Sequence, residues 1–273
     1  MMRPALFRPF AAAVALAMSA LAPSAHALVG GTDTTSFQAV GEMVEASGIL
    51  IADNWVLTVA HVGAGLVVGE SSFTSLAGSA VVDEVYLYPT ADFINDDVAL
   101  VHLSSTIPGV VTPILNDTLI TDETVSQLGP LTAATAQNQD PSGFGSMVAL
   151  TTVPVYTDDT GTTYTTNWLV TGGATTVQGG DSGSPLFLGD VTDSADAVVL
   201  AIASTILEDT STGVTVSAYV QLAPYKTWID SVMLASGQNA RWLSATAVPE
   251  PSSMALMGLG LVGVAWARRR AQA

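Results

Sequence analysis

Short β-branched apolar runs, each closed off by turn-forming residues, constrain the fold of this chain more than any other feature. Gly48-Ile49-Leu50-Ile51, Trp55 to Val59, Val98 to Leu103, Met147 to Val155 and Val198 to Ile206 are separated by Gly, Asp, Asn and Pro. Runs of that composition between such boundaries read as strands, because Val, Ile and Thr fit a pleated, half-buried surface. One stretch departs from the pattern. Leu222, Tyr225, Trp228, Ile229, Val232 and Met233 recur at three- and four-residue spacing, which predicts a helix closing the globular part. The expectation is an all-β body with one late helix and no internal repeat. The segment from Pro113 to Pro130 reads as the crossing between two halves.

Both ends read as targeting segments. Arg3 and Arg8 precede an apolar run from Phe10 to Leu21, and Ala25-His26-Ala27 supplies small residues around a cleavage point. This layout predicts a secretory signal peptide over residues 1–27. At the other end, Val248-Pro249-Glu250-Pro251 leads into an apolar stretch, Ser252 to Ala267, and then Arg268-Arg269-Arg270. As a helix that stretch spans roughly 24 Å, short of a ~30 Å hydrocarbon core. The order of Pro-Glu-Pro, hydrophobic segment and Arg cluster over 248–273 resembles the PEP-C-terminal sorting signals of Gram-negative bacteria. That resemblance implies processing by an exosortase-type enzyme, with the tail serving as a transient membrane anchor.

Between the tails, residues 28–247 carry two basic side chains, Lys226 and Arg241, against 23 acidic ones, a net charge of −21 with histidine neutral. A nucleic-acid backbone or an anionic membrane surface repels such a body, so neither is an expected partner. The chain has no cysteine. That excludes a cysteine nucleophile and thiolate metal sites, while a domain of this size can be exported without disulfides.

Three segments carry candidate chemistry. His61 follows the apolar run Trp55 to Ala60 and precedes the turn formers Gly63 and Gly65. Asp97 stands beside Asp96 at the head of the run Val98 to Leu103, where an acid is often a turn residue. Ser182 lies in Gly179-Gly180-Asp181-Ser182-Gly183-Ser184-Pro185, whose glycines leave the backbone able to bring N–H groups near a ligand. His102 alternates with apolar neighbours and reads as structural. Each segment alone is unremarkable. Jointly, Leu57-Thr58-Val59-Ala60-His61, Asp97-Val98-Ala99-Leu100 and Gly180-Asp181-Ser182-Gly183, in that order, resemble the signature blocks of trypsin/chymotrypsin-like serine proteases. Leu28-Val29-Gly30-Gly31 is similar to the mature N-terminus of that family, and Gly143-Phe144-Gly145 to a glycine-aromatic-glycine turn early in its second barrel. Ser204-Thr205-Ile206 falls where its substrate-pairing strand lies, and Tyr225 to Trp228 at the start of its terminal helix. Two departures are visible: Val62 where many members have cysteine, and Ser184 in place of a second glycine after the nucleophile.

The resemblance implies an all-β fold of two antiparallel six-stranded barrels with a C-terminal helix: a protease domain at 28–247, barrel one over about 28–128, barrel two over about 129–220, the helix over about 221–236. It implies a secreted or cell-surface serine endopeptidase acting on proteins or peptides, exported through the Sec pathway, with no metal or organic cofactor. His61, Asp97 and Ser182 would form the catalytic triad, and the Gly180 and Ser182 N–H groups the oxyanion hole. Signal peptidase cleavage before Leu28 would free an ammonium group to pair with Asp181. Thr176, Ser204, Ile206 and Ser217 would border the primary substrate pocket, and the absence of an acid at 176 points to uncharged side chains there. Two rivals remain. An α/β-hydrolase esterase is disfavoured, since its elbow needs Gly-x-Ser-x-Gly and its triad runs Ser, Asp, His. A catalytically inactive member serving as a binding or matrix protein is opposed by the presence of all three triad residues.

Overall fold

The computed structural model describes residues 28–243 except 92, 93, 95, 137–141, 159, 196 and 210–212. The expected signal segment 1–27 and sorting tail 248–273 lie outside the described residues.

The chain enters through β1 (Thr32–Thr34) and builds a first barrel from β2 (Val40–Met43), β3 (Ala46–Ala52), β4 (Trp55–Thr58), β5 (Ser72–Ser75), β6 (Gly78–Leu87) and β7 (Ala99–Leu103), closed in the order β2-β3-β4-β7-β6-β5. A single turn of helix, α1 (Ala60–Gly63), follows β4. The expected crossing holds β8 (Ile114–Asn116) and α2 (Asp122–Val125). The second half contains β9 (Pro130–Thr135), β10 (Ser142–Thr157), β11 (Thr163–Gly172), β12 (Pro185–Phe187), β13 (Val198–Asp209) and β14 (Val214–Gln221). These six pair as β12-β9-β10-β11-β14-β13, and the pairing of β12 with β13 joins the two ends of that path into a second ring. β8 adds in parallel to β13, and the short β15 (Trp242–Leu243) to β8.

Strands β3, β4 and β7 are apolar at nearly every position because both of their faces are covered. One side fills the first barrel, and one contiguous cluster runs from Phe37, Trp55 and Leu100 into Trp168, Ile202 and Tyr225 of the second half. Each large apolar side chain so buried contributes about 1.5–3 kcal/mol. A second cluster, containing Leu131, Leu169, Leu186 and Tyr219, packs the other ring and takes in Leu28.

Two expectations are refined. The terminal helix opens with a 3-10 turn, Ala223–Tyr225, before α3 (Lys226–Leu234), and Pro224 sits in that first turn, where its missing N–H is not needed. Gly143-Phe144-Gly145 is strand, not turn: it lies in β10, opposite Thr135, Ala134 and Ala133 of β9. Its second glycine is required by proximity, since a Cβ at Gly145 would sit 2.7 Å from the Thr175 side chain.

Candidate active site

His61 is placed by α1, which begins directly after β4 and turns the chain at the barrel edge. The ring Nδ1 lies 2.8 Å from Asp97 Oδ2, and the His61 backbone N–H donates to Asp97 Oδ1 at 2.9 Å. A carboxylate can only accept here, so Nδ1 carries the proton and Nε2 is left as the basic nitrogen. Asp97 is fully buried and takes a third bond from Ser204 Oγ at 2.7 Å, which satisfies a charge that burial otherwise penalises.

The aim of Asp97 depends on its neighbour. Asp96 has φ of +52°, a left-handed conformation that Asp tolerates better than most residues. Thr90 donates to its Oδ2 at 2.7 Å and Tyr225 OH to its Oδ1 at 2.9 Å, while Asn167 Nδ2 donates to the same tyrosine oxygen. Burial, then the Asp96 charge, pushes the Tyr225 pKa up and keeps it a donor.

Ser182 sits in a loop tied to both barrels. Its carbonyl accepts the Ser47 N–H of β3 at 2.8 Å, and the next N–H, that of Gly183, donates to Ala203 O of β13 at 2.8 Å. Gly183 has φ of +86°, and a Cβ there would meet Ser47 O at 2.1 Å, so no other residue fits. Among the described residues the N–H groups of Gly180 and Ser182 have no backbone acceptor. His61 and Ser182 line one cleft of about 250 Å³, whose other walls include Val177, Ala203, Ser204 and Ile206. A larger hollow of about 510 Å³ lies between the Leu119–Glu123 segment and β11, without His61 or Ser182 in its walls.

Of the residues expected at the substrate pocket, Ser204 and Ile206 line this cleft, whereas Thr176 and Ser217 do not. Thr176 exchanges both backbone bonds with Val29, and Ser217 Oγ accepts the Val177 N–H at 3.0 Å. Val177, Ala203 and Ser47 carry no sequence signal of their own. The expected structural role of His102 has a physical basis: its Nδ1 meets Asp83 Oδ1 at 2.6 Å and its Nε2 meets Asn54 at 2.7 Å.

Asp181 is fully buried; Oδ2 accepts the Gln178 N–H at 2.8 Å, and Oδ1 has no hydrogen-bond partner among the described residues. Burial pushes its pKa up to about 7, outweighing the Gln178 bond and a Thr135 hydroxyl that approaches without good geometry. Leu28 is buried in the same cluster as Val177, Ala203 and Tyr219, and the Asp181 charge acts on Tyr219.

Residues 29–229 match the family model Trypsin, and residues 247–270 match the PEP-CTERM protein-sorting motif. The chain belongs to the trypsin family. A search of curated proteins gave no match. Among solved structures, the secreted serine protease VesC from Vibrio cholerae superposes with a TM-score of 0.56 at 14% identity, covering 74% of this chain and 48% of that one. This chain therefore spans about half the length of that protein, and the likeness is one of fold. Among the described residues no helix is long and apolar enough to cross a membrane.

Proposed function

We propose that the chain is an exported serine endopeptidase in which Ser182 is the nucleophile, His61 the general base and Asp97 the residue that orients it. The observation that carries this reading is the cleft in which a histidine with its Nδ1 proton committed to a buried aspartate shares walls with a serine. Ser182 Oγ attacks the scissile carbonyl carbon as its proton passes to His61 Nε2. Charge develops on the carbonyl oxygen, and the Gly180 and Ser182 N–H groups stabilise it. Collapse of that intermediate expels the amine, which takes the proton from His61, and water activated by the same nitrogen hydrolyses the acyl-enzyme. Among the described residues the cleft walls hold no Asp, Glu, Lys or Arg, which supports small or medium uncharged residues at the cleavage position.

Activation follows from Asp181. The only lysine and arginine in 28–247 are engaged elsewhere, Lys226 with Asp230 and the Trp242 ring, Arg241 with Thr112 O. The cation suited to the unpartnered Asp181 oxygen is the α-ammonium of Leu28, released by signal peptidase as residues 1–27 are removed. The sorting motif supports transient anchoring through 248–273 and removal of that tail by an exosortase-type enzyme. The test is labelling by a fluorophosphonate together with hydrolysis of small-residue peptides, in wild type and in Ser182→Ala. Labelling and cleavage lost in the variant support the reading; a wild-type protein that does neither favours a binding or matrix role.

A further inference from the structure

Ser47 lies in β3, in the other barrel from the nucleophile loop, yet it bonds to that loop through both its backbone N–H and its hydroxyl. Its side chain is fully buried. The backbone N–H donates to Ser182 O at 2.8 Å, and the hydroxyl lies 3.2 Å from Gly180 O and 2.9 Å from Ala136 O. A hydroxyl has one proton and two lone pairs, so that proton is shared between the two carbonyls while Oγ faces the Ala136 N–H at 3.4 Å. The Ser47 carbonyl is itself held by Thr58 Oγ1 at 2.8 Å.

The geometry points to Ser47 as a positioning residue for the oxyanion hole: from the first barrel it holds the Gly180 and Ser182 carbonyls, and so helps to set the directions of the Gly180 and Ser182 N–H groups, which have no backbone acceptor among the described residues. Gly180 has φ of +102°, a conformation open to it because it lacks a Cβ, so its own backbone does little to fix the peptides on either side. Each carbonyl shares a rigid plane with the next residue's N–H, so bonds to the Gly180 and Ser182 carbonyls fix the peptides 180–181 and 182–183, between which the Ser182 N–H is hinged and beside the first of which the Gly180 N–H lies. Peptide 182–183 is held by the Gly183 N–H on Ala203 O; peptide 180–181 is held by the Asp181 N–H on Gln178 O at 3.1 Å within the loop, and the Ser47 hydroxyl on its carbonyl adds the tie to the first barrel. Gly183 leaves no space for slack, since an added Cβ would lie 2.1 Å from Ser47 O and 2.2 Å from Thr58 Oγ1. One buried hydroxyl thus ties β3, the nucleophile loop and the end of β9 together, and the hole exists only when both barrels are docked.

This inference rests on the peptidase reading, and the test separates the two. Wild type, Ser47→Ala, Ser47→Thr and Ser47→Cys are compared for the rate of fluorophosphonate labelling, for kcat and KM on a small-residue ester, and for thermal melting, with Ser182→Ala as the labelling control. Ser47→Ala should lose roughly 10- to 100-fold in kcat and in labelling rate with KM unchanged, because the lost alignment matters only where the oxyanion forms. Ser47→Thr, which keeps the hydroxyl, should recover most of the loss, and the weaker thiol donor of Ser47→Cys should fall between. A Ser47→Ala protein that melts with wild type and labels at the wild-type rate overturns the assignment. If Ser47→Ala does not fold, Ser47→Cys decides: wild-type kcat, or a rise in KM in place of a fall in kcat, overturns it. A wild-type protein that is not labelled, or is labelled equally in Ser182→Ala, defeats the peptidase reading itself and this assignment with it.

Discussion

The buried carboxyl of Asp181 makes the proposed activation measurable as a dependence of stability on pH. In the unprocessed chain burial raises its pKa from 3.8 to about 7. The folded state then holds a proton that the unfolded state has released, so stability falls as pH rises from about 4 to about 7. Three pKa units at 1.36 kcal/mol each give a loss of about 4 kcal/mol across that window. A paired ammonium reverses the sign: it lowers the folded pKa, so the fall disappears and the pairing is lost only under acid. The experiment uses Ser182→Ala protein, to prevent self-digestion, in two forms, one beginning at Leu28 and one with an uncleavable Ser-Ala extension. Urea unfolding of each at pH 4 and pH 7.5 should show the extended form losing roughly 4 kcal/mol more than the Leu28 form. All other carboxylates titrate equally in both and cancel. Asp181→Asn in the extended form should abolish the excess. Parallel pH dependence in the two forms would falsify N-terminal insertion and leave Asp181 to another donor.

Removing either Ser182 or His61 by alanine should lower kcat by on the order of 10⁶, since the members of such a unit are not additive; hydrolysis at the wild-type rate by Ser182→Ala sinks the assignment. Asp97→Asn should fold yet cost ~10⁴ in kcat, as in the family template, by favouring the wrong imidazole tautomer, read from kcat with KM intact. Gly183→Ala should abolish labelling, because its Cβ would lie 2.1 Å from Ser47 O at a positive φ; retained labelling contradicts the packing. In a peptide library, cleavage after alanine or valine should exceed cleavage after arginine, and strong arginine preference refutes the pocket reading.

Much of this was legible in the chain because it depends on local pattern. The alternation of β-branched runs with turn formers predicts strands, and each of the five apolar runs singled out overlaps a strand of the two rings. The late periodicity of Leu222 to Met233 corresponds to α3, with its first turn tightened around Pro224. Glycine patterns were more ambiguous. Gly143-Phe144-Gly145 is expected to be a turn only through its likeness to the family, yet it is strand, and Gly145 is glycine because Thr175 crosses beside it.

Residue identity and order determined the family and nominated His61, Asp97 and Ser182, because the blocks that carry reacting groups are contiguous in sequence. Only the tertiary structure decided who supports them. Ser204 and Ser47 bond to Asp97 and to the nucleophile loop from strands 107 and 133 residues away in sequence from Asp97 and Gly180 respectively. Tyr225 reaches Asp96 across 129 residues. Pairings of that span follow from how two closed sheets dock, and strand pattern says which faces are buried without saying which buried hydroxyl meets which carbonyl. The same limit applies to the substrate pocket: the resemblance to the family puts Thr176 and Ser217 at its border, and only the structure shows that Thr176 pairs with Val29, that Ser217 bonds to Val177, and that Val177 and Ala203 line the cleft beside Ser204 and Ile206.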